Sequence, residues 1–359
     1  MLLTATQRQR ADMARILYAI LGEGMGHATR SAALIDELKK RHRIRIIVSS
    51  KRAYKFLKQR YRDVHFFEGA SIVYKDGEVD DAATLRNFFG KTMAEMPANL
   101  RKVYRIAKSY NPDIIITDFE GVSAAIGALL GIPVICICNI HSVSKLRYHV
   151  PARYRKDHVK AMIVIKALFP RADYHLITSF FDLPAKDNDT FLFPPILRKE
   201  ILRLKPKNKD YILVYQTSQT NHDLIDVLRK SGQKFIIYGF NANRKEKNIV
   251  FRKFNTGIFL KDLEGCKACI SNGGYSFLSE AISLHKPILC IPVKGQFEQI
   301  LNAIFLRRLG YGEFCEQITE KNLKAFITRI KEYRTSLGKV HTEDNSRIIR
   351  KIEEIINAS

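Results

Sequence analysis

At 359 residues, with 46% hydrophobic and 27% charged side chains, the chain is an ordinary globular one with room for about two domains. No apolar run approaches the ~18 residues of a spanning helix, and Met1 to Ala11 is polar, without the apolar core of a signal peptide. The formal charge of +24 is spread over both halves and favours anionic partners: phosphates, nucleic acid or an anionic membrane surface, with a lysine-rich solvated surface as the plain alternative.

Residues 1–12 read as an extension before the first strand. After them, strands are expected at Ile16–Ile20, Ile44–Ser49, Val64–Phe67, Asp113–Thr117, Val134–Cys138 and Tyr174–Thr178. Helices are expected at Ala28–Lys40, Pro97–Ser109, Val122–Leu130 and near Tyr154–Leu168. The pattern then restarts, with strands at Tyr211–Gln216, Phe235–Tyr238, Ala268–Ser271 and Ile288–Ile291, and helices at Leu224–Lys230, Phe277–Leu284 and Glu298–Leu309. Near-continuous apolar strands alternating with helices indicate α/β architecture: two doubly wound, Rossmann-like parallel-sheet domains. We place the N-terminal domain at 13–183, a Pro-rich charged linker at 184–210 and the C-terminal domain at 211–340. Isoleucines 348, 349, 352, 355 and 356 recur at helical spacing, so 341–359 is expected to form a last helix, placed to pack back on the N-terminal domain. Two such domains facing a cleft would take a ligand at the carboxyl ends of their strands.

The six cysteines form no disulfide framework. Cys136 and Cys138 share one face of an apolar strand, Cys290 lies in another, and Cys266 and Cys269 have CxxC spacing without a second pair. Reduced thiols in a cytoplasmic protein fit best.

Chemistry concentrates in two places. In the second half, Ser271-Asn-Gly-Gly-Tyr-Ser-Phe-Leu-Ser-Glu280 reads as strand, Gly-Gly turn and helix. Backbone amides of Gly273, Gly274 and Tyr275 at that helix mouth suit a diphosphate. Glu280, about a turn and a half further on, can accept two hydrogen bonds from a ribose diol. Gln296, Glu298, Gln299 and Asn302 form a polar cluster suited to a sugar. In the first half, Gly22-Glu-Gly-Met-Gly26-His-Ala-Thr-Arg30 follows the first strand. Gly22, Gly24 and Gly26 make a tight loop. His27 stands where a dinucleotide fingerprint needs glycine, and the second strand ends in Val48-Ser49-Ser50 without the expected acid, which disfavours nicotinamide and flavin cofactors. No P-loop occurs. His27 can act as a general base near neutral pH; its structural alternative is a loop or helix cap.

Together these residues resemble the GT-B glycosyltransferases, and within them the N-acetylglucosaminyltransferase of peptidoglycan lipid synthesis with its uncharacterised archaeal and bacterial homologues. The likeness spans roughly 14–320. It rests on the Gly22–Arg30 loop and on Gly273-Gly274, Ser279-Glu280, Pro287 and Gln299–Asn302. It implies nucleotide-sugar binding, UDP above all, mainly to the second domain and acceptor binding mainly to the first. Gln216, Thr217 and Ser218 fall at the family's other phosphate-side loop. Glu298 stands where the peptidoglycan enzyme has glutamine, so the sugar need not be N-acetylglucosamine. Asp118, at the end of its strand, is a candidate to orient His27, with helix capping as the alternative; Glu120 is a second candidate. Ile288 occupies the place of the second glutamate of retaining relatives, which favours inversion. Asp187-Asn-Asp189 has DxD form but lies in the linker, so no metal and no cofactor beyond the nucleotide sugar is expected.

Basic stretches mixed with apolar residues, 51–62 and 153–169, would suit a lipid-linked acceptor or an anionic membrane surface; a helix with a solvated basic face explains them as well. Two rival functions remain: a sugar-nucleotide epimerase on the same fold, and a nucleic-acid binder. The latter lacks interleaved aromatics.

Overall fold

The computed structural model describes residues 13–21, 25–68, 74–75, 78–79, 93–169, 171–216 and 222–358. The chain falls into two compact units. One comprises Met1–Val73, Asp81–Arg198 and Glu343–Ser359; the other comprises Tyr74–Asp80 and Lys199–Thr342.

Up to residue 198 the strands are β1 (Arg15–Ile20), β2 (Arg43–Val48), β3 (Val64–Phe66), the short antiparallel pair β4 (Tyr74–Lys75) and β5 (Glu78–Val79), β6 (Ile114–Asp118), β7 (Val134–Cys138), β8 (Tyr174–Thr178) and β9 (Thr190–Phe193). Beyond it come β10 (Ile212–Tyr215), β11 (Phe235–Tyr238), β12 (Arg244–Glu246), β13 (Ile249–Arg252), β14 (Ala268–Ser271), β15 (Ile288–Cys290) and β16 (Gly312–Phe314).

The first unit holds a wholly parallel sheet in the order β3–β2–β1–β6–β7–β8–β9. Its central strands are buried along their length because helices cover both faces. The helix Met25–Leu38 turns Ala28, Ala32, Leu34, Ile35 and Leu38 inward against β1 and β2. The helix Gly121–Leu130 begins at Glu120, whose carboxylate caps it, and ends at Gly131 in the left-handed conformation (φ 68°). The stretch expected as a linker contributes β9, which pairs in parallel with β8, so residues 184–198 belong to the first unit. Thr190-Phe-Leu-Phe193 is too short to stand out beside two prolines and many charges. Asp187, read as part of a solvated loop, fastens this turn: it accepts hydrogen bonds from Lys145 Nζ (2.9 Å) and Thr190 Oγ1 (2.6 Å).

The last helix, Ser346–Ala358, also lies in the first unit. Ile348, Ile352 and Ile355 join the same core as β1 and the helix Met25–Leu38. His42, 5% exposed, meets Glu353 at 3.0 Å, and Asn345 exchanges two hydrogen bonds with the backbone of Leu197.

The second unit repeats the plan, with order β12–β13–β11–β10–β14–β15–β16, parallel except at β12–β13. The sequence pattern gives no strand between Phe235–Tyr238 and Ala268–Ser271, yet Arg244–Glu246 forms an antiparallel edge strand on β13 and Lys247 turns the chain at φ 49°. Charged residues suit an edge strand because only one of its sides is paired. Cys266 and Cys269 are fully buried, with sulfurs 3.6 Å apart, and all six cysteines are free. No described helix is long and apolar enough to cross a membrane.

Candidate active site

In the first sheet the order reverses between β1 and β6, and Ile20 and Asp118, the last residues of these strands, are in register. Such a switch point is where α/β sheets bind ligands. The helix Met25–Leu38 starts just beyond β1, which puts His27 in its first turn and Arg30 three residues on, along the same side. Both reach Asp118. His27 Nδ1 lies 2.9 Å from Asp118 Oδ1. Arg30 donates from Nε to Oδ2 (2.7 Å) and from Nη2 to Oδ1 (2.5 Å), and Ser31 Oγ donates to Oδ2 at 3.2 Å. Asp118 is 1% exposed, Arg30 8%, and the His27 side chain 14%.

Burial alone would raise the Asp118 carboxyl, but the Arg30 guanidinium and then His27 outweigh it and hold the group at about 2. Burial, followed by the Arg30 charge, pushes His27 below the ordinary histidine value against the pull of Asp118. His27 Nδ1 also lies 2.8 Å from Arg30 Nη2, so two tautomers compete. An ionised carboxylate only accepts. With Asp118 Oδ1 at 2.9 Å, Nδ1 must carry the proton, and the Arg30 Nη2 donor has the same Oδ1 as its nearer acceptor. Nε2 then keeps its lone pair and makes no hydrogen bond among the described residues. A neutral imidazole with that tautomer is a general base at neutral pH.

A pH consequence follows. Protonation of His27 removes the Nε2 lone pair, and its lowered pKa places that event, and an acid limb of kcat/KM that reports it, below the ordinary histidine range. Because the Arg30 charge contributes to that lowering, Arg30→Gln should move the limb to higher pH. A pH profile of kcat/KM for the two proteins measures it, and an unmoved limb would detach Arg30 from His27.

Glu120 has a different task. Its two carboxylate oxygens accept from the amides of Val122 (2.9 Å) and Ser123 (2.8 Å), which makes it the helix cap. The capping role considered for Asp118 thus falls to Glu120. Between them Phe119 sits in the left-handed region at φ 56°, a strained setting for a bulky residue. Gly26 lies in the first turn of the helix; Gly22 and Gly24 lie outside the described residues.

The second sheet reverses between β10 and β14, where Tyr215 and Ser271 are in register. Gln216 follows the first, and Asn272-Gly273-Gly274 the second, leading into the helix Tyr275–Ser283. Gly273 has φ 91°, and a Cβ there would stand 2.8 Å from Cys290 Sγ and 3.2 Å from the Gln299 carbonyl, so only glycine fits. At Gly274 an added Cβ would meet nothing within 4 Å, and no side chain caps the helix. A helix start without a side-chain cap, behind a glycine with room around it, suits an anion. The Tyr275 ring is buried, so this residue offers its backbone amide.

The polar cluster beyond divides in two. Asn302, wholly buried, donates from Nδ2 to the Gly273 carbonyl at 3.2 Å and so supports the turn. Gln299 accepts from the Val293 amide at 3.0 Å and donates to Gln296, which fixes the loop before its helix. Glu280 and Glu298 are partly exposed, in the helices Tyr275–Ser283 and Phe297–Arg308. Gln216 is 1% exposed, and neither end of its amide finds a hydrogen bond among the described residues. Thr217 and Ser218 lie outside them.

The chain matches the model described as glycosyl transferase family 1 over residues 14–331. It belongs to glycosyl transferase family 1. Two relatives, from Methanosarcina mazei and Methanosarcina acetivorans, are each described as an uncharacterized glycosyltransferase. The first is 26% identical and the second 22%, each over 85% of this chain and 86% of its own length. Among solved structures, the family 1 chain is similar to the glycotransferase of kitacinnamycin, at 15% identity and TM-score 0.70, covering 95% of this chain and 99% of that one. It is also similar to LpCGTa in complex with UDP, at 14% identity and TM-score 0.69, covering 97% and 100%. The fold is therefore GT-B and the protein a glycosyltransferase.

Reading the sequence passed over Arg30, although its spacing from His27 was available. It also passed over Phe119, whose backbone conformation has no signature in residue type.

Proposed function

We propose that this glycosyltransferase moves a hexose or N-acetylhexosamine from a nucleoside-diphosphate sugar, UDP foremost, to an acceptor hydroxyl with inversion. The pairing of His27 with Asp118 at the first sheet's switch point carries the reading. His27 Nε2 takes the acceptor proton while the acceptor oxygen bonds to the anomeric carbon. The bond from that carbon to the phosphate oxygen breaks, and Asp118 balances the imidazolium. The departing diphosphate places its charge on the amides at Gly273, Gly274 and Tyr275. The unsatisfied Gln216 amide is a second polar contact for it, with Thr217 and Ser218 beyond; Glu280 accepts from the ribose hydroxyls, and Glu298 beside Gln299 reads the sugar. One displacement inverts the centre, in keeping with Ile288 where a second glutamate would stand.

An acceptor on a lipid, as in an envelope glycan, is the kind that the basic and apolar stretches 51–62 and 153–169 would suit, at the inner membrane face. Six free cysteines fit a cytoplasmic setting.

Calorimetry with UDP-, GDP- and dTDP-sugars tests the donor half. One nucleotide should bind best, and Glu280→Ala should weaken it about 10- to 100-fold, as expected for hydrogen bonds to a charged group. Unchanged affinity would remove Glu280 from the ribose, and no binding by any member of the panel would sink the donor reading. UDP release that requires an acceptor marks a transferase; turnover of the UDP-sugar alone would mark an epimerase.

A further inference from the structure

The first unit contains a cavity of about 470 Å³ against the helix Arg155–Leu168. That helix is unusual for an α/β layer: only Ile165 is fully buried, while Val159 and Ile163 are 54% and 63% exposed. Both line the cavity, together with Met162, Ile165 and Phe169, so one wall is apolar. The charged part of the lining is basic. Lys145, His158, Lys166 and Arg171 contribute, and no aspartate or glutamate does. Lys145 is paired with Asp187 at 2.9 Å and Arg171 lies 3.9 Å from Asp173, whereas Lys166 has no acidic partner among the described residues.

Two buried histidines complete the lining. His141 and His175 are 3% and 4% exposed with ring centres 4.7 Å apart, and His141 Nε2 and His175 Nδ1 find no hydrogen-bond partner among the described residues. Burial pushes both below the ordinary value, His175 to about 4, so each is a neutral imidazole with one N–H. His141 Nδ1 meets Ser144 Oγ at 3.0 Å, and the same hydroxyl donates to the His141 carbonyl at 3.4 Å, so Nε2 is a spare acceptor or a spare donor according to the tautomer. Buried polar atoms left unmatched are costly.

We infer that this cavity binds a single-chain amphiphile with a phosphate head, its alkyl or isoprenoid tail along Val159, Met162, Ile163 and Phe169 and its head toward Lys166. The volume suits one such chain. The occupant would also touch the candidate active site indirectly: Phe119, next to Asp118, stacks on Phe169 at 5.7 Å and meets His141 edge-on at 5.4 Å.

The test is calorimetry with dodecyl phosphate below its micelle concentration, without nucleotide sugar, so that it stands apart from the donor reading. One molecule should bind per chain. Lys166→Glu and Ile163→Asp, both at exposed positions that folding tolerates, should each weaken it at least about tenfold. Three controls decide the chemistry. Dodecanol binding as tightly would show that the head is not read, and inorganic phosphate binding as tightly would show that the tail is not read. Capture by phosphatidylcholine–phosphatidylglycerol vesicles without any binding of the monomer would make this face a membrane surface instead. Any of these, or binding untouched by both substitutions, overturns the inference.

Discussion

Asp118→Asn is expected to slow sugar transfer about a thousandfold and to destabilise the first unit by about 3–5 kcal/mol. The two effects have separate causes. Turnover falls because an amide neither fixes the Nδ1–H tautomer of His27 nor balances the imidazolium formed when His27 takes a proton. Stability falls because Arg30, 8% exposed, loses the carboxylate that receives two of its N–H groups. Urea unfolding and steady-state rates separate them. The double variant Arg30→Met, Asp118→Asn should recover much of the stability and none of the turnover. If Asp118→Asn kept wild-type rates, the His27–Asp118 pair would not be the base. The wild-type pair adds an acid-sensitive term: the carboxyl at about 2 lies below its unfolded value, so its stabilisation is complete above about pH 4 and is lost as pH falls toward 2.

Lys286→Met should cost the second unit about 3–5 kcal/mol, lowering the midpoint of its thermal transition by about 10 °C. Lys286 has no exposed surface, and its ammonium group donates to three backbone carbonyls, of Lys207, Glu264 (2.8 Å) and Cys266 (2.8 Å). Methionine, one heavy atom shorter, fills most of the space, but it removes the donor from all three carbonyls. Calorimetric scanning resolves the change, since the units need not melt together. A drop below ~1 kcal/mol would mean that water replaces the ammonium group. Donor binding should survive in the folded fraction, because the hydrogen bonds of Lys286 go to Lys207, Glu264 and Cys266 and not to the proposed donor-binding residues.

How much of this was legible beforehand depended on residue type. Strands such as Ile114-Ile-Ile-Thr-Asp118 and Val134-Ile-Cys-Ile-Cys138 are buried on both faces and announce themselves as unbroken apolar runs. The Gly273-Gly274 turn was legible because Gly273 takes a left-handed backbone, beside close neighbours, that only glycine fits. The β12 edge strand was not, because a strand paired on one side tolerates charges that otherwise signal a loop. At the candidate site, Asp118 could be named as the residue to orient His27, with helix capping as its alternative, and the choice between them depends on the parallel register of β1 with β6, ninety-odd residues apart in the chain. Glu120 shows the converse: a carboxylate two residues from Asp118 looks equally placed on paper, and a left-handed Phe119 between them sends the two side chains to different partners.

The helix Ser346–Ala358 sets an order on synthesis. A ribosome releases Lys199–Thr342 before it releases this helix, so every residue of the second sheet is available while the first unit still lacks Ile348, Ile352 and Ile355. Until then the flank of the helix Met25–Leu38 on which they pack is bare apolar surface. The half of the chain made first is therefore finished last, and a nascent chain that stops short of its final helix presents a sticky surface to chaperones and proteases even though its second unit is complete.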